Sequence, residues 1–436
     1  ACSGGVRTVN LAFGRGLDQR APETALAPGF VRDAVNLDIA PGQYAQKVPL
    51  GHARTRIGRT LAHASVAMRG GWCDARVPFA LLVDGTALVA LAEDGTRTTL
   101  ATVTAGYGVC AEFVEAQGAV YWSNGIERGR IVAGVNVPWG LPEPAAPGLS
   151  ATSGTLAPGT YLVAVTHVNA AGEEGGASPV ATLALSVAGG ISVTLPALPA
   201  EASGYRVYLG GPDADPGALY WAKDVTASTT LTAAGTPGRR LQTQYMRRMP
   251  AASVLTAWNG RMWAAVGSLL MFSTFVGGMP HYGLYDGRGG WLPMDATVTM
   301  IRPTADGIYV GTNTGVWFLS GDPAATMARL RVDGFGVLGS TVVPAGSFAA
   351  GQQTPDATAD LPVWLSSEGD VLLGRPGGIV QRLGLVLAFA PNGPAALMYI
   401  DDSRGRRLIV SAPAGDSSSA AVVAPTPVLV GNGVSP

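Results

Sequence analysis

The sequence predicts an all-β protein, and three observations predict it. The first is the stretch from Ile301 to Asp322, IRPTADGIYVGTNTGVWFLSGD. Ile308 and Val310, then Trp317 and Leu319, are spaced in twos, the period of a strand with one buried face. Gly311-Thr312-Asn313-Thr314-Gly315 lies between the two runs and can take positive φ or bond its own backbone. Asp306-Gly307 opens the unit and Gly321-Asp322-Pro323 closes it, so the stretch reads as an antiparallel hairpin. The second observation is that this grammar recurs along the chain. The third is composition: 60 Gly and 31 Pro in 436 residues leave no convincing amphipathic helical window. Short strands joined by tight turns are then the way for a chain with 47% hydrophobic residues to bury its core.

Residues 1–60 read as an extended N-terminal strap. Val35, Leu37 and Ile39 alternate with polar residues as in a half-buried strand, and Pro41-Gly42 is a turn. Residues 61–147 hold the first hairpins. Runs 79–83 and 87–91 flank Asp84-Gly85-Thr86, Asp94-Gly95 follows, and runs 119–122 and 129–132 flank Ser123-Asn124-Gly125. Asp-Gly and Asn-Gly between apolar runs are strong hairpin signals. The proline-rich stretch Pro138 to Gly148, PWGLPEPAAPG, is a linker.

Residues 148–235 change character. GTYLVAVTHVNAAGEEGGASP and SGYRVYLG place alternating strands near 159–169 and 204–209, with others at 191–195 and 218–222. These patterns resemble a fibronectin type III or related immunoglobulin-like sandwich, and about ninety residues suit one. Hairpins resume over 236–412, and residues 413–436, rich in Ser, Ala and Pro, are expected to form a flexible tail. Repeated strand–turn–strand units need their edges accounted for, and circular closure does this. The two hairpin blocks therefore predict a β-propeller of about five to seven blades, with the sandwich inserted between two of them.

Charged residues make up only 14% of the chain and the net charge is −1, with Lys47 and Lys223 the only lysines. That composition carries no basic stripe for general nucleic-acid binding and leaves broad neutral faces for partners to cover. No apolar run is long enough to cross a bilayer, and residues 1–20 lack a signal-like apolar core. Cys2, Cys73 and Cys110 are odd in number and lack CxxC spacing, which argues against a disulfide framework or a thiolate zinc site.

Motifs that could carry chemistry mostly fail on context. Gly334-Phe335-Gly336-Val337-Leu338-Gly339 matches GxGxxG by letter, but a strand follows where a dinucleotide site needs a helix. His52, His63, His167 and His281 are scattered without metal-ligand spacing. Asp401-Asp402 reads as a hairpin tip rather than a calcium or glycosidase site. Arg239, Arg240, Arg247 and Arg248 read as a solvated return linker in preference to a patch for DNA or an acidic partner. Trp122, Trp258, Trp263, Trp291, Trp317 and Trp364 read mostly as core residues between blades, with sugar stacking as the alternative. No catalytic, cofactor-binding or metal residue is assigned, and no cofactor is expected.

Four stretches taken together add a resemblance. They are GLDQRAPETALAPGFVRDAVNLDIAPGQYAQKVPLG, WNGRMWAAVGSLLMFSTFVGGMPHY, DGIYVGTNTGVWFLSGDP, and VDGFGVLGSTVVPAGSF followed by PVWLSSEGDVLLG. In this order they resemble the β-propeller tail nozzle or hub proteins of short-tailed phages, the packaged-DNA stabilisation family. The resemblance implies a non-enzymatic virion component, made in the host bacterial cytoplasm. It implies a ring of copies of itself beneath portal and adaptor proteins that carries fibres or spikes. Genomic DNA would be passing cargo, and no stable membrane insertion is expected. The alternative is a carbohydrate- or receptor-binding propeller at the tail tip.

Overall fold

The computed structural model describes residues 118–233, 238–276, 290–323, 326–343 and 360–386 continuously. Outside these ranges it describes chiefly isolated strands. Cys2, Cys110, His52 and His63, the Asp94-Gly95 turn and most of residues 1–60 lie outside the described residues, as do the side chains of Cys73, His281, Asp401 and Asp402.

Among the described residues, every regular element apart from one 3₁₀ turn, Pro376–Gly378, is a strand. Five antiparallel sheets have four strands each in simple meander order. Blade 1 comprises Gly71–Asp74, Phe79–Asp84, Ala87–Ala92 and Arg97–Thr102. Blade 2 comprises Glu112–Ala116, Ala119–Ser123, Arg128–Val132 and Val135–Val137. Blade 3 is Val254–Trp258, Arg261–Val266, Leu269–Phe272 and Trp291–Pro293. Blade 4 is Val298–Pro303, Gly307–Thr312, Val316–Asp322 and Thr326–Asp333. Blade 5 is Val337–Val343, Leu361–Ser366, Asp370–Arg375 and Ile379–Val386. A sixth sheet, blade 6, has three strands, Ala396–Asp402, Gly405–Ala412 and Thr426–Val430. Its last strand comes from within the stretch expected to be a free tail and pairs with Gly405–Ala412, Leu408 opposite Val430.

The first strand of each sheet packs against the first strand of the next, from blade 1 through blade 6. The cores lie between consecutive blades. Leu81 and Leu88 meet Trp122 and Ile131, and Tyr121 meets Met262 and Ala264. Val254 and Trp263 meet Ile308 and Leu319, Tyr309 and Phe318 meet Trp364 and Leu372, and Val363 and Leu365 meet Leu408. Meanders stacked face to face about their first strands are the blades of a β-propeller.

This stacking corrects the one-sided reading of the Ile301 to Asp322 hairpin. Its strands and its turn at 313–315 stand where expected, but every residue of Gly307–Thr312 is buried. Ile308 and Val310 face blade 3, while Tyr309 faces blade 5. An interior blade has neighbours on both sides, so neither face of its second strand, Gly307–Thr312, meets water. Close packing also accounts for two of the three glycines of the GxGxxG look-alike, while Gly334 has open space around it. A Cβ on Gly336 or Gly339 would run into the carbonyl of Asn313 or of Ala395.

Residues 148–231 form two facing sheets. One has the order Gly148–Leu156, Gly189–Thr194, Thr229–Leu231. In the other, Gly159–Val168 pairs with Gly204–Gly210, which pairs with Tyr220–Val225, and Glu174–Ala177 and Ala181–Leu185 flank Gly159–Val168. Tyr161, Val163, Val165, Ile191, Val193 and Val207 fill the space between. Tyr205, at the start of its strand, donates its hydroxyl to the Pro196 carbonyl at 2.6 Å. A tyrosine tying that corner back to the backbone upstream is a hallmark of immunoglobulin-like sandwiches. The second sheet runs on past residue 235. Trp221 and Leu241 bond the backbones of Arg239 and Leu219, and Leu241 buries itself with Leu162, Tyr208 and Leu219.

Candidate interaction site at the sandwich–propeller junction

The sandwich leaves blade 2 through the linker and returns to blade 3, and polar side chains gather where it meets both. Asn169 organises the turn after Gly159–Val168. Its Oδ1 accepts from the amides of Ala171 and Glu173 at 3.1 and 2.9 Å, and Gly172 takes φ +78. The turn aims Glu173 at blade 2, where Arg130 donates to its carboxylate, and Asn169 Nδ2 donates to the same oxygen at 2.6 Å. Burial pushes the Glu173 carboxyl up, but the bonds from Arg130 and Asn169 outweigh it, so its pKa falls below the ordinary value.

Glu174, the next residue, points the other way and is nearly sealed from water, its side chain 4% exposed. Its Oε1 accepts from Thr166 at 2.8 Å and Tyr208 at 2.5 Å; its Oε2 accepts from Arg206 at 2.9 Å and Arg239 at 2.5 Å. A buried carboxylate is stable only when its lone pairs are met in this way. Burial first, then the bond to Glu174, raises the Tyr208 pKa and keeps the hydroxyl protonated as a donor.

Around this pair the backbones close in. Strand Glu174–Ala177 packs against a small three-stranded sheet made of Met246–Arg248, Thr274–Val276 and Met279–Gly283. A Cβ on Gly176 would strike the Met246 carbonyl, and one on Gly175 would stand 2.9 Å from Leu141 Cβ. From the linker, Glu143 accepts the Arg248 amide at 2.8 Å. The Pro142 carbonyl stands 2.6 Å from Nδ1 of His167, a buried ring whose other nitrogen has no partner among the described residues.

The residues that the sequence brings forward are therefore dispersed. Arg239 is exposed, as a solvated linker residue would be, and also pairs with Glu174; Arg240, likewise exposed, donates to the Gly217 carbonyl at 2.8 Å. Arg247 and Arg248 sit on a strand opposite Tyr282 and His281. His167 is a junction residue. Trp122, Trp263 and Trp364 are buried between blades; Trp258 and Trp317 are half-buried, and Trp291 is 45% exposed. Motif and spacing rules pick out none of Glu173, Glu174, Arg130 and Arg206. The one signal they leave in the sequence is an acidic doublet at a strand edge in a chain with few charges.

No family model matches the chain, and no curated protein is similar to it. Among solved structures, apo AztD from Citrobacter koseri aligns at 10% identity and a TM-score of 0.34, over 85% of this chain and 82% of that one. BamB from Moraxella catarrhalis aligns at 12% and 0.33, over 81% and 85%. A streptogramin B lyase aligns at 11% and 0.31, over 80% and 92%. Likenesses this distant carry no argument about what this chain does; the fold rests on its own sheets and inter-blade cores.

Proposed function

We propose that the chain is a non-enzymatic structural protein of a tailed-phage virion. It forms part of the tail nozzle or hub that extends the DNA channel, retains packaged DNA and carries fibres or spikes. The observation that supports this best is the built-in attachment of the sandwich. Arg130 of blade 2 holds Glu173, and the small sheet beside blade 3 holds Glu174–Ala177, so the insertion is an arm fixed to two blades at once. A fixed arm suits a part that must hold a fibre or meet a neighbour at a set angle. The perturbed groups point the same way, because each serves a structural bond: Tyr208 to Glu174, Tyr309 to two carbonyls, Glu173 to Arg130. The four-stretch resemblance and the near-zero charge, which avoids gripping passing phosphates, support the channel assignment.

The ring would be made of copies of this chain, joined to portal, adaptor or other tail proteins. Mass spectrometry of purified native particles tests the reading, with labelled antibody to locate the chain. The expected result is the chain in the tail, in several copies per particle. Particles that lack it, or purified protein that turns over a host polysaccharide, would refute it.

A further inference from the structure

We infer that the groove between blades 3 and 4 is a binding site for a neutral pyranose sugar. The groove measures about 520 Å³ and is lined by Trp258, Asn259, Thr304, Ala305, Asp306 and Gly321. It lies where the first turn of blade 3 meets two turns of blade 4, away from the sandwich junction. Each wall is held in place. The indole of Trp258 donates to the Thr304 carbonyl at 3.0 Å and leans on Trp263 at 6.0 Å, yet stays half-exposed. Asn259 and Gly260 take φ +48 and +69, the tight turn that an Asn-Gly pair favours, and leave the Asn259 side chain exposed. No hydrogen bond within the described residues engages that amide. Asp306 is exposed but oriented: Oδ1 accepts from the Thr304 hydroxyl at 3.0 Å and Oδ2 from the Gly377 amide at 2.7 Å.

The chemistry of these walls matches a sugar ring. A pyranose has an apolar C–H face, which a fixed indole can cover. Its hydroxyls both donate and accept, as an amide does, and they can donate to a carboxylate that only accepts. Ala305 and Gly321 leave the floor low. The Asp306 carboxylate at the groove repels an acidic sugar, whereas Asp322, next to Gly321, is paired with Arg261 at 3.8 Å and adds little to the field. The selectivity is therefore for neutral hexoses or N-acetylhexosamines over uronates. This site is independent of whether the chain belongs to a virion.

Saturation-transfer NMR on the purified full chain tests it, with methyl β-glucopyranoside, N-acetylglucosamine and methyl glucuronide as probes. The expected result is transfer to ring protons of the two neutral sugars and little to the glucuronide. Asn259→Gly removes the amide while suiting the left-handed backbone, so the fold is kept, and it should weaken neutral-sugar binding about fivefold. Asp306→Asn should narrow the gap between neutral and acidic sugars. No transfer to either neutral sugar, a preference for the glucuronide, or unchanged binding in Asn259→Gly would overturn the assignment.

Discussion

Replacing Glu174 by alanine removes the one carboxylate that answers four donors across the outer face of the second sandwich sheet. Arg206, its side chain 17% exposed, then keeps only the more exposed Asp224 at 3.4 Å, and the hydroxyls of Thr166 and Tyr208 lose their acceptor. Breaking a buried ion pair by deleting one partner costs about 3–5 kcal/mol, since the remaining charge keeps its desolvation penalty. Arg239 adds little to this, because it is 54% exposed and water can replace its partner. The two hydroxyls would each add about 1–3 kcal/mol if stranded, but they can turn toward one another or toward water, so the terms do not sum. Because Asp224 still offsets part of the Arg206 charge, the expected loss is at the low end of that range, about 3 kcal/mol in the sandwich. Glu174→Gln should lose less, as its carbonyl oxygen still accepts while its amide nitrogen faces donors. Native-state hydrogen exchange along Gly159–Val168 and Gly204–Gly210 is the suitable assay, because a chain with several cores does not unfold in one step. A loss below about 1 kcal/mol in Glu174→Ala would show that the cluster is solvated and that the buried-carboxylate reasoning fails.

Three further outcomes follow from the same contacts. Burial lowers the His167 pKa below its ordinary 6.5, with Pro142, Glu143 and Glu201 opposing. The unfolded chain then binds the proton more readily, so stability is fully present above pH 6.5 and falls as pH drops toward the folded-state value. Denaturation midpoints across that window should fall on acidification and flatten in His167→Gln; a flat wild-type profile would contradict this. Gly176→Val places a branched side chain against the Met246 carbonyl and should destabilise docking of the sandwich by about 1–3 kcal/mol. The change should be seen as faster proteolysis of the linker with the sandwich's exchange protection kept, and unchanged linker cleavage would refute it. Tyr309→Phe removes the hydroxyl that stands 2.5 Å from the Arg375 carbonyl and 3.0 Å from that of Ile379. It should cost about 1–2 kcal/mol in thermal denaturation, and a neutral substitution would mean that water serves those carbonyls equally well.

What the sequence made legible was local. Asn-Gly and Asp-Gly turns, apolar spacing and the proline-rich linker each depend on residues within one turn of chain, and the hairpin at 307–322 stands in the expected register. What it concealed was set by distance. Glu174 meets Thr166, Arg206, Tyr208 and Arg239, which lie 8, 32, 34 and 65 residues away, and no spacing rule links an acid to donors scattered so widely. Tyr309 and Phe318 read as outward-facing positions of an amphipathic strand because alternation records only one neighbour, whereas an interior blade has two. The arginines of the return segment read as solvated, and Arg239, Arg240 and Arg247 are exposed; what the sequence concealed is that the fold brings Glu174 back to meet Arg239.

The sandwich interrupts the chain but not the stack of blades. The first strands of blades 2 and 3 pack directly together, and the Ala252 amide bonds Ser123 Oγ at 2.8 Å across that contact. An insertion hung on one blade by two flexible joints could swing without disturbing the core. This one grips blade 2 through Arg130 and the strand at Met246–Arg248 beside blade 3, on either side of that seam. A load applied to the sandwich is therefore shared by both blades, and parting them would require breaking the Arg130–Glu173 pair or lifting Gly176 off the Met246 carbonyl. The Arg130–Glu173 pair on one side and the packing of Glu174–Ala177 on the other thus bridge the seam where the chain makes its longest excursion between two blades.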